Sequence, residues 1–219
     1  MKRLITVLIM LAIIVAVIFI FFKNIYNPQK IGNTTYKIED LENYILKISS
    51  YEAIAEIRVA SNKNTNTYKL KQSEKRGGSF YQEVIEPQTI AGSIFKSDGS
   101  NLIIENSKLN ISKIYENYHY ISNNQLSLIN FLNDYNESQD ANCIENDTEV
   151  IMEVSVKNEN KYIAKKVLKV DKASRCPKSL EIHDNTQNLL VYILYNEIKI
   201  NVMPEDQIAF LYINIKSEI

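Results

Sequence analysis

From Leu4 to Phe22 every residue but Thr6 is apolar, and no later stretch of the chain resembles that run. At a rise of about 1.5 Å per residue a helix of this length spans roughly 28 Å, the thickness of a bilayer core. The run ends in Ile18-Phe19-Ile20-Phe21-Phe22, where a signal peptidase needs small residues, and no cysteine follows to take a lipid. Lys2 and Arg3 precede it and, by the positive-inside rule, stay cytoplasmic. The pattern predicts an uncleaved transmembrane signal anchor over residues 1–23, with the rest of the chain outside the cytoplasm. Residues 24–37 are a polar connector, and residues 38–219 are long enough for one domain with a sizeable core.

Beyond the connector the apolar period changes twice. IEDLENYILKIS sets Leu41, Tyr44, Ile45 and Ile48 on one helical stripe, with Glu39, Asp40 and Glu42 near the start, where the helix dipole favours them. YEAIAEIRVAS then alternates, with Tyr51, Ala53, Ala55, Ile57 and Val59 against Glu52, Glu56 and Arg58. NKNTN turns the chain into TYKLKQSEKR, where Tyr68 and Leu70 alternate with Lys69 and Lys71, and Gly77-Gly78 turns it again into FYQEVIE. Pro87 has no N–H for a ladder and marks a strand end or an edge. Asp98-Gly99 predicts a tight hairpin between SIFKS and NLIIEN, and either Ile94 or Phe95 must face the core. QLSLINFLNDY returns to helical spacing through Leu128, Phe131, Leu132 and Tyr135. EVIMEVSV, YIAKKVLKV, KSLEIHD and LLVYILYNEIKIN read as four further strands, with KNENK and HDNTQN as turns. Helix, strands, helix, strands predicts an α+β domain with a mostly antiparallel sheet that curls its apolar side around the helices.

Composition narrows the chemistry. A net charge of −1 gives no electrostatic reason to bind nucleic acid. There is no G-x-S-x-G, H-E-x-x-H, phosphate-binding glycine loop or Cys-x-x-Cys, so neither catalysis nor a cofactor is expected. His119 and His183 stand apart from each other, and a metal site joining them with Glu181 and Asp184 is not expected. Glu83 and Glu86 point to opposite faces of a strand and cannot flank one reacting bond. Lys161, Lys165, Lys166, Lys169 and Lys172 predict a strand with a solvated lysine face that guards against edge pairing. Tyr115, Tyr118 and Tyr120 cluster in KIYENYHYIS, and Tyr192 and Tyr195 share the last long strand. They suit either a protein interface or a half-wet hollow. Cys143, taken as entering EVIMEVSV, and Cys176, leading into KSLEIHD, are expected to approach and to bond under oxidant. The bond would close a loop of about 33 residues and contribute roughly 3–4 kcal/mol.

Several strings resemble the LolA/LolB/RseB-like lipoprotein-carrier superfamily, and most closely the clostridial germination lipoprotein GerS and its relatives. They are ISSYEAIAEIRV, SNKNTNTYKLKQ, FYQEVIEPQTIAGS, SDGSNLIIENSKLNISKIYENY, QLSLINFLNDY and LYNEIKIN, across residues 38–203. The resemblance implies a curved antiparallel half-barrel with helices in its concave face. It also implies a non-catalytic, membrane-anchored, extracytoplasmic binding and regulatory module of the spore envelope, acting in sporulation or germination by docking a cell-wall (cortex) amidase. GerS is lipidated on a cysteine that this chain lacks, so here the apolar run itself must anchor. The alternative implied is a carrier that holds a lipid or lipoprotein acyl chain in its hollow. A carrier must leave the membrane to travel, and an uncleaved anchor favours the docking module.

Overall fold

A computed structural model describes residues 37–61, 63–118, 126–156 and 163–202; the anchor, most of the connector and the KNENK turn lie outside them. Among the described residues no helix is long and apolar enough to cross a membrane. The domain opens with helix α1 (Ile38–Leu46), acidic in its first turn at Glu39 and Asp40. Leu41 and Ile45 are buried; Ile48, the last member of the predicted stripe, lies past the helix end and is still buried. Strands β1 (Ser50–Ala60), β2 (Thr65–Lys75), β3 (Ser79–Glu86), β4 (Ile94–Asp98), β5 (Leu102–Asn106) and β6 (Ile111–Tyr115) follow. Helix α2 (Leu128–Glu137) precedes β7 (Asn142–Glu145), β8 (Glu149–Ser155), β9 (Lys165–Asp171), β10 (Cys176–His183) and β11 (Leu189–Ile200).

The strands form one antiparallel sheet in the order β6-β5-β4-β3-β2-β1-β11-β10-β9-β8-β7. Two meanders, β1–β6 and β7–β11, are joined where the first strand pairs with the last, Tyr51 opposite Ile200 and Val59 opposite Val191. The chain therefore leaves one meander at an edge of the open, curved sheet and re-enters at the opposite edge. Helix α2 falls between the two meanders in the chain and packs over one face of the sheet. The period-two pattern decides which face. Tyr51, Ala53, Ala55 and Ile57 turn inward beneath the helices, joined by Leu70, Met152, Leu168, Leu180 and Ile193. Leu128, Phe131, Leu132 and Tyr135, the predicted stripe of α2, pack on them.

The predicted turns are present with identifiable causes. Asp98 accepts backbone hydrogen bonds from Ser100 and Asn101, both at 2.8 Å, and Gly99 has φ +100°. A Cβ on Gly99 would meet the Gly77 carbonyl oxygen at 2.9 Å, so glycine is required by space as well as by backbone. Pro87 follows directly on the end of β3. Two strands are additions to the sequence reading: β6, where only a tyrosine cluster was legible, and β7, a separate strand that pairs Cys143 with Met152. Ile-Ser-Lys-Ile-Tyr and Asn-Cys-Ile-Glu are short and break strict alternation, so tertiary pairing forms them, not pattern.

Register also settles which of Ile94 and Phe95 faces the core. Phe95 stands opposite Gln82 and Ile104 on the helix-covered side and packs against the core. Phe95→Asp is expected to cost about 2–3 kcal/mol and Ile94→Asp less than about 1 kcal/mol. Urea denaturation of both variants checks this, and equal losses would contradict the register.

Candidate functional site

Across β1 the helix-covered face changes character. Toward β8–β11 it is apolar apart from Lys166; on β2 and β3 it presents Gln72, Glu74 and Gln82, all buried. Glu74 is the centre of a polar cluster. The Tyr51 hydroxyl donates to its Oε2 at 3.1 Å, and the Ser127 hydroxyl lies 2.6 Å from both of its oxygens. Ser127 is also the N-cap of α2, accepting from the Asn130 N–H at 2.9 Å, so the carboxyl sits at a helix N-terminus through one hydroxyl. Burial pushes the Glu74 carboxyl up to about 7, against the Ser127 and Tyr51 hydrogen bonds that pull it down. Burial, then the Glu74 charge, raises the Tyr51 and Tyr195 hydroxyls far above their usual range. Gln72, 1% exposed, has neither end of its amide hydrogen-bonded, and the Tyr195 hydroxyl is likewise without a partner.

Four further contacts hold α2 over this cluster. Lys166 on β9, 0% exposed, donates to Asn130 Oδ1 and Asp134 Oδ2, each at 2.5 Å. Burial draws its ammonium below the ordinary value, opposed by Asp134. Arg76, just after β2, donates to Asn133 at 3.0 Å and to the carbonyls of Leu46 and Ile48 at 2.9 and 2.8 Å. It thereby satisfies orphan carbonyls at the end of α1 while gripping α2. The Tyr135 hydroxyl donates to Glu42 of α1 at 2.6 Å.

The predicted lysine face is corrected by these contacts. Lys165, Lys169 and Lys172 pair with Glu153, Glu181 and Glu145, Lys166 points the other way into the core, and β9 is an interior strand. Adjacent lysines in a strand must face opposite sides; β8 supplies Glu153, β10 supplies Glu181, and the end of β7 supplies Glu145. Lys161 lies outside the described residues.

The five tyrosines separate. Tyr195 is buried edge-on to Tyr51, with ring centroids 6.4 Å apart. Tyr192 lies on the opposite face beneath the Arg58 guanidinium. Tyr115 and Tyr118 are exposed at the β6 edge, their centroids 6.3 Å apart, and Tyr120 is outside the described residues, as is His119. His183 Nε2 lies 3.1 Å from Glu181, whose carboxylate also holds Lys169; no metal-binding cluster occurs among the described residues.

The expected disulfide is also corrected. Cys143 and Cys176 are free, on strands separated by β8 and β9. Three strand spacings of about 4.8 Å exceed the roughly 7 Å that a disulfide tolerates between Cα atoms. Cys143 lies not in β8 but in β7, one strand further from β10. Burial, then the Glu42 charge, raises the Cys143 thiol to about 11, which slows it as a nucleophile. Both thiols of the folded protein are expected to alkylate, Cys143 the slower, with equal migration on reducing and non-reducing gels. A gel shift that requires both cysteines would overturn this.

A protein family described as "Sporulation protein YdcC-like" matches residues 2–208. No curated protein matches the chain. Among solved structures, an uncharacterized conserved protein from Thermus thermophilus is 10% identical over 78% of this chain and 91% of its own, with a TM-score of 0.50, a likeness of fold alone. A chain in the complex of the CwlD amidase from Clostridioides difficile with the GerS lipoprotein is 21% identical over 77% of this chain and 96% of its own, with a TM-score of 0.47. A LolA superfamily protein from Nitrosomonas europaea is 13% identical over 78% and 96%, with a TM-score of 0.40. The description of the matching family agrees with the sporulation theme of the resemblance read from the sequence.

Proposed function

The chain belongs to the YdcC-like sporulation protein family, and we propose that it is a non-catalytic binding module, anchored in the membrane and facing the spore envelope. The observation that carries this is the extent of the family match, which takes in the apolar N-terminal run together with the whole described domain. The site chemistry supports it. Glu74, the carboxyl raised to about 7, is sealed beneath α2 with Tyr51 and Ser127, so it meets no substrate. The GerS-like strings in the sequence point to a cell-wall amidase as the protein docked.

The packing supports docking over lipid carriage. The face that a carrier keeps hollow is filled by Phe131, Leu132, Ile45 and Tyr51, all buried to within 1% of complete, and α2 is tied down at several points. The test is isolation of the tagged full chain from sporulating cells, with mass spectrometry for proteins and for lipids. We expect an amidase to co-purify and the chain to begin before residue 23. Recovery with bound lipid and no protein partner would favour the carrier, and a mature N-terminus after residue 23 would remove the anchor.

A further inference from the structure

The two edges of the sheet differ. At β7 the acidic Glu145 is bridged by Lys172, and the strand is four residues long. At β6 all five residues are exposed, and Ile111, Ile114 and Tyr115 are 45%, 56% and 37% accessible, with Leu109 beside them at 48%. The register puts Ile111, Lys113 and Tyr115 on the helix-covered side, and Ser112 and Ile114 on the other. Both sides of this edge therefore carry large apolar groups, next to a row of backbone donors and acceptors with no further strand among the described residues. A strand added alongside would cover both sides at once, whereas a partner lying on one face would cover only one.

Charge selects the occupant. Lys113 is the central residue of β6 and lies over the Tyr115 ring, 4.7 Å from its centroid. If two copies paired antiparallel through all five residues, Lys113 would face Lys113, a like-charge pair that disfavours the contact. A strand with an acidic residue at that place, between apolar ones, meets the cation and the flanking Ile111 and Tyr115 together. We propose that β6 is the docking edge, where an extended segment of the partner protein adds as a further strand, apolar residues flanking one acidic residue opposite Lys113. This rests on the reading that the chain docks an envelope protein.

The experiment uses the full chain in detergent micelles with two short peptide probes of alternating Val and Thr, one with Glu in place of the middle Val and its twin with Lys. Fluorescence anisotropy reads binding, and amide hydrogen exchange locates it. The Glu peptide is expected to bind about fivefold more tightly than the Lys twin and to slow exchange at residues 111–115. Lys113→Glu, at an exposed position, should reverse the order of the two peptides while leaving the fold intact. Equal binding of the two, protection elsewhere, or protection of residues 111–115 that rises with protein concentration alone would overturn the proposal, the last assigning the edge to a second copy. A parallel exchange run with the envelope amidase separates the two levels: protection confined to another surface overturns β6 and leaves the docking reading standing. No protection anywhere overturns the docking reading itself.

Discussion

Replacing Glu74 by Gln is expected to stabilise the domain by about 3 kcal/mol at pH 8 and to change it little at pH 4.5. The carboxyl is almost fully buried, and burial raises it from 4.5 to about 7. Between those values the folded protein holds a proton that the unfolded chain has released, so wild-type stability falls as pH rises through the window. Above pH 7 both states are ionised, and the full cost of burying the charge remains. Gln keeps the geometry: its carbonyl accepts from Ser127, and its NH₂ donates to the Tyr51 oxygen. The acid side is governed by other groups. Hydrogen bonds from Asn101 and Ser100 at Asp98 outweigh burial and hold that carboxyl below its ordinary value, while Ser174 does the same at Asp171. Their contribution is lost only as pH falls below about 4, so the two trends separate on one titration. Urea denaturation of both proteins from pH 4.5 to pH 8 is the measurement. A loss of stability in Glu74→Gln at pH 8 would mean that the α2 N-terminus needs the charge.

The position of Glu74 was half legible. Continuing the alternation of Tyr68 and Leu70 through Gln72 reaches Glu74 on the same inward side, and the register with Tyr51 confirms it. What the sequence lacks is any mark that this end of β2 lies under Ser127, because that contact spans 53 residues and depends on the crossing of α2. The long strands and both helical stripes were readable because their periods run clean for two turns or more. β6 and β7 were not, since each is held by one neighbour and carries no period. The tyrosine set shows the same limit. Composition groups Tyr192 with Tyr195, yet three positions along a strand reverse the face, one toward Arg58 and the other toward Tyr51. Lys166 was legible in principle, as adjacent lysines cannot share a face; that its face would be covered by Asn130 and Asp134 follows only from the fold.

That buried lysine gives the largest effect expected. Asp134→Ala should cost about 3–5 kcal/mol, although Asp134 is the more exposed partner, its side chain being 27% accessible against 0% for Lys166. Removing the acid leaves an ammonium sealed under α2 with only the Asn130 amide oxygen to face. The protein must then bury an unpaired charge or give up the proton, and either costs stability. Lys166→Met removes the charge at its source and refills the space with an unbranched chain of similar length, so its cost should stay within about 1 kcal/mol. The double variant should recover most of what Asp134→Ala loses, because the charge that made the single change expensive is gone. Two-state urea denaturation of the three variants and the parent decides it. If Lys166→Met proves the worst of the three, the ion pair stabilises the α2 crossing in its own right, and the desolvation argument fails.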